Sequence, residues 1–119
     1  MRSILRPTSP LTVSLILALA LSAGLAAAGE AKTPLGKWMK PNMGAPLAGQ
    51  DFPTLKTSLD LVASKPPPGA GYPKWASMAQ AGSAAAAKQD VAALKASCKQ
   101  CHDAYKDQYI KEFPTRAFP

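Results

Sequence analysis

Cys98-Lys99-Gln100-Cys101-His102 is the stretch on which the reading of this chain turns. C-x-x-C-H is the attachment signature of a c-type haem. On a helix, Cys98, Cys101 and His102 fall at i, i+3 and i+4, so the three side chains leave one face within about 6 Å along the axis. That placement suits the chemistry: each thiol adds across one haem vinyl group to form a thioether, and the adjacent imidazole reaches the iron as proximal ligand. Other chemistries use the same residues. A C-x-x-C also serves as a thioredoxin-like dithiol, a structural disulfide or half of a zinc site. Zinc takes four ligands, and the chain offers two cysteines and one histidine. A thioredoxin fold needs strands around its motif, and the flanks here read as helix. Covalent haem c, with its iron on His102, leads the field.

Working back from the motif, Asp90 caps a helix on which Val91, Leu94, Cys98, Cys101, Tyr105 and Tyr109 recur at steps of three and four. It is expected over residues 90–113, stopped by Pro114. Tyr105 and Lys106, three and four residues past the histidine, are candidate haem contacts, and for Lys106 a solvated helix face is the plain alternative. A third helix, expected over 73–88, carries Trp75, Met78 and a run of small residues from Ala81. Small side chains admit a neighbouring helix or a flat haem, and alanine is also the best helix former. Ser64-Lys65-Pro66-Pro67-Pro68-Gly69-Ala70-Gly71 reads as the longest loop. Asp51 caps a helix over 52–64 whose Phe52, Leu55, Leu59 and Val62 form one stripe. Thr33-Pro34 opens a first helix, expected over 33–49, with Leu35, Trp38 and Met39 on one side. Pro41 and Pro46 each remove a backbone donor, so a kink or break is expected near Lys40. If the helix survives, Met39 and Met43 share a face and both become candidate sixth ligands to iron, although methionine is usually core filler. Trp38 and Trp75 each begin an apolar stripe and are expected near the haem. No period-two alternation occurs anywhere, so the fold class is all-α.

The first 28 residues read as a secretory signal peptide: Arg2 and Arg6, an apolar run over 11–25, then Leu25-Ala26-Ala27-Ala28. An uncleaved anchor is the alternative, but Thr12, Ser14, Ser22 and Gly24 dilute the run. Cleavage after Ala28 leaves one domain, residues 29–119, in the periplasm, where thioether attachment takes place. A domain this small usually needs a staple such as a cofactor. The formal charge of +7 loses two with Arg2 and Arg6, and the remaining cations are scattered singly. No cluster or aromatic interleaving points to nucleic acid, and after cleavage no membrane contact is expected. The mildly basic surface favours redox protein partners with an acidic docking face, ordinary solubilising charge being the plain alternative. A homodimer is compatible with the sequence.

A haem motif at the C-terminal end of an all-helical exported chain resembles the class II c-type cytochromes, the cytochrome c′-like four-helix bundles. In class I the motif lies near the N-terminus and a methionine comes after it. Here 17 residues follow His102 and none is methionine. Ala96-Ser97-Cys98-Lys99-Gln100-Cys101-His102-Asp103-Ala104-Tyr105-Lys106 is similar to the family's motif followed by an aromatic and a basic residue. Lys37-Trp38-Met39-Lys40 looks like the first-helix segment from which low-spin members supply their methionine, which favours Met39 as distal iron ligand, with Met43 in reserve. The resemblance spans about residues 33 to 113. The chain departs from it in being short and in carrying Pro41 and Pro46 in the ligand helix. It implies an antiparallel four-helix bundle with haem on the C-terminal helix. The function implied is a one-electron carrier with His102 and Met39 on the iron, and no enzyme activity. The alternatives are a five-coordinate protein binding a small gas such as nitric oxide, or a thiol-disulfide protein using Cys98 and Cys101.

Overall fold

Short polar side chains open three of the four helical stretches in the computed structural model, which describes residues 30–119. The expected signal peptide, residues 1–28, lies outside the described residues. Thr33 Oγ1 accepts from the Gly36 N–H at 3.1 Å, and Pro34, with no N–H to leave unpaired, starts α1, Pro34–Met39. A π turn, Lys40–Gly44, comes next, and then α2, Ala45–Ala48. Lys40, Gly44 and Ala45 all hold right-handed helical dihedrals, so the three pieces form one rod through both prolines. Pro41 has no N–H for the Lys37 carbonyl, and Pro46 has none for that of Asn42. The backbone widens instead of breaking: the Ala45 N–H reaches back five residues to the Lys40 carbonyl, and Asn42 Nδ2 donates to the Trp38 carbonyl at 2.8 Å.

Asp51 accepts from the Thr54 N–H at 3.3 Å and caps α3, Phe52–Ser64. The third helical stretch, expected from residue 73, begins two residues later as α4, Trp75–Ala87. Tyr72 to Trp75 is a turn closed by the Trp75 N–H on the Tyr72 carbonyl at 3.2 Å, and the Lys74 N–H is taken by Tyr105 Oη at 2.8 Å. Asp90 accepts from the Ala93 N–H at 3.0 Å and opens α5, Val91–Glu112, about 33 Å long.

The same junction appears twice. Gln50 and Gln89 hold positive φ, 53° and 56°, just past α2 and α4. Their N–H groups reach the carbonyls of Leu47 and Ala86, while the N–H groups of Asp51 and Asp90 reach those of Pro46 and Ala85. This is the Schellman pattern, which satisfies the last carbonyls of one helix while the aspartate side chain satisfies the first donors of the next.

The rod packs on α3, α3 on α4, and α4 on α5. A Cβ added at Gly82 would lie 3.2 Å from both Leu59 methyls and 3.5 Å from Ser97 Cβ, so α4 lies close to α3 and α5 because position 82 carries no side chain. One core joins Leu55, Leu59, Ala85, Ala86 and Leu94. A second joins Leu35, Val62, Tyr72, Trp75, Ala79, Tyr105 and Tyr109. Along the remaining side, the backbones of the rod and α5 do not approach one another closely, which leaves a seam between them. Among the described residues there is no strand, and no helix is long and apolar enough to cross a membrane.

Candidate functional site

Two clefts open along that seam and share Met39 and Lys40 of the rod and Cys101 and His102 of α5. The first, about 490 Å³, is walled by Leu35, Trp75, Tyr105 and Tyr109, with Lys32, Lys106 and Asp107 among its charged groups. The second, about 260 Å³, is walled by Met43 and Leu47 of the rod, Leu55 and Leu59 of α3, Met78 of α4 and Cys98 of α5. Its lining is almost wholly apolar. Together they are of the size and character of a cofactor slot.

The α5 face delivers the motif because Leu94, Tyr105 and Tyr109 anchor the stripe in the two cores, 0 %, 8 % and 4 % exposed. Cys98 and Cys101, between those anchors, are half-buried free thiols at the slot wall. Burial pushes both thiols up from their ordinary pKa, and Cys98 adds to the rise at Cys101. A redox-active dithiol needs the opposite shift, since the thiolate is the nucleophile. Lys99 and Gln100, between the cysteines, face solvent, and Lys99 forms an exposed ion pair with Asp103.

His102 is an exposed residue of α5, yet lost hydration at the slot wall lowers its pKa. Lys106 lowers it further and Asp103 acts against both. The shift favours the neutral imidazole, the form that ligates a metal. Among the described residues no three His, Cys, Asp or Glu side chains gather into a metal-binding group, so the motif does not close a protein-only cage.

Met39, half-buried, walls both clefts, and Met43 walls the second. Because the rod stays continuous, the two methionines remain on the seam side, and Pro41 does not turn Met43 away. Met78 walls the second cleft too, although in the sequence nothing distinguishes it from core filler; its position depends on how α4 is rotated against α3 and α5. Tyr105 walls the first cleft, and its hydroxyl accepts from the Lys74 N–H. Lys106 is exposed at the same wall. Of the tryptophans, Trp75 walls the first cleft with its Nε1–H donating to the Val62 carbonyl at 2.8 Å. Trp38 lines neither cleft and packs edge-on against Phe118, ring centroids 4.8 Å apart.

These residues fit a planar, largely apolar group bearing vinyl carbons and a metal: two protonated thiols and a neutral imidazole on one wall, thioethers on the other. No family model, no curated protein and no solved structure matches the chain.

Proposed function

We propose that this chain is an exported electron carrier of the class II c-type cytochrome kind, an antiparallel four-helix bundle whose open seam takes one haem c. The carrying observation is the pair of clefts that meet at Cys101 and His102 on one side and Met39 on the other. Short junctions at Gln50 and Gln89 support the antiparallel order, since helices joined so tightly double back. When bound, the haem supplies a one-electron iron couple. Every other part of the work belongs to the chain.

Cys98 and Cys101 would hold the group by two thioethers, His102 would ligate the iron from α5, and Met39 would supply a thioether from the rod. Leu55, Leu59, Trp75 and Tyr105, which line the clefts, would keep water from the bound group, which would favour the less charged state of the site and so raise the potential. The protein transforms no substrate. Its redox partners dock through an acidic face, in the periplasm.

Mature protein made in a host with haem-maturation machinery should have the mass of the chain plus one haem, which survives denaturation, and a low-spin ferric absorption spectrum. A bare-chain mass would end the haem reading and turn attention to the dithiol. Covalent haem with a high-spin ferric spectrum would replace the carrier with a five-coordinate, gas-binding protein.

A further inference from the structure

We propose that Met39 and Met43 are interchangeable distal ligands, two flexible thioethers on one face of the rod that can reach the same place; this rests on the haem reading above. Both methionines wall the second cleft, opposite Cys101 and His102, and both pack on the core that contains Trp75 and Tyr105. They lie four residues apart on a continuous rod, and so about 6 Å apart along its axis. Neither sulfur is locked: both residues are only half-buried, and methionine has three rotatable side-chain bonds.

The hydrogen bonds between them depart from the regular α-helical ladder, although this turn also packs on α3. Pro41 cannot donate to Lys37, the Ala45 N–H takes the wide bond to Lys40, and the Trp38 carbonyl is held by the Asn42 side chain. A Cβ on Gly44 would meet nothing within 4 Å, so that position of the turn faces open space. π turns cluster at functional sites, and this one separates two thioethers that line the same cleft as His102. Rotation about the methionine side-chain bonds brings either sulfur to the same stretch of the cleft wall, so the packed rod need not move.

The test uses mature holoprotein with Met39→Leu, Met43→Leu and both together, because leucine keeps the volume and the fold. Each single variant should keep a low-spin ferric spectrum, and the double variant should lose it and become high-spin. With ¹³C-methyl methionine in the reduced wild type, two ring-current-shifted methyl signals are expected, and one in each single variant. A single variant that turns wholly high-spin overturns the exchange while leaving the carrier reading intact, since one methionine then acts alone. A double variant that stays low-spin overturns it too, and adding Met78→Leu then asks whether α4 supplies the ligand. A wild type without low-spin haem sinks the underlying reading itself, and this proposal with it.

Discussion

Tyr105 and Tyr109 sit one turn apart on α5, both buried, with hydroxyls in different circumstances. Tyr105 Oη accepts from the Lys74 N–H at 2.8 Å, whereas Tyr109 Oη is buried with no protein partner. Removing the first hydroxyl strands a backbone donor, and removing the second relieves an unpaired polar atom. Tyr105→Phe should therefore cost about 1 kcal/mol, while Tyr109→Phe should be neutral or stabilising by up to about 1 kcal/mol. Urea midpoints of the two holoproteins check this, and equal losses would contradict it. Both residues occupy the same buried stripe in the sequence, and no local pattern separates them. The difference comes from Lys74, more than 30 residues upstream.

The helix junctions carry a cost that can be recovered. Gln50 and Gln89 are held at positive φ, where a side chain crowds the following carbonyl and glycine is at ease. Gln50→Gly and Gln89→Gly should each stabilise the fold by about 0.5 to 1 kcal/mol, the relief of strain being partly offset by the greater freedom of glycine in the unfolded chain. The two sites share no partner, so the gains should add. Thermal unfolding should rise by several degrees in the double variant, and an unchanged or lower midpoint would rule the account out. At this scale the caps were legible in advance: Thr33, Asp51 and Asp90 each stand one or two residues ahead of an apolar stripe with helical spacing. The left-handed glutamines were not, because glycine or asparagine is the usual marker of that position.

Across the whole molecule, the loop between α3 and α4 is tied to the end of α5. Tyr72 Oη donates to Glu112 at 2.9 Å, Gln108 Nε2 to the Gly71 carbonyl at 3.4 Å, and Arg116 Nη2 to the Pro66 carbonyl at 3.3 Å. Tyr72 is 5 % exposed but shallowly placed; burial first, then the Glu112 hydrogen bond and charge, push its pKa from 10.0 to about 12. The folded state thus holds this proton more tightly than the unfolded state. Its stabilising contribution is full below pH 10.0 and is lost as pH rises to about 12. The urea midpoint of the holoprotein should fall across that window, and Tyr72→Phe should flatten the fall; a wild-type midpoint flat over the window would refute it. The sequence by itself determined that the described chain is helical, where the three capped helical stretches start, and that Cys98, Cys101 and His102 leave one face of α5, because caps and periodicity act within a turn or two. Only the tertiary structure decided that the rod passes Pro41 and Pro46 unbroken, that Met39, Met43 and Met78 line one slot, that Trp38 lies away from it, and that the seam between the rod and α5 stays open. Those outcomes depend on how distant helices rotate and approach, down to the missing side chain at Gly82, and that is settled by packing between residues far apart in the chain.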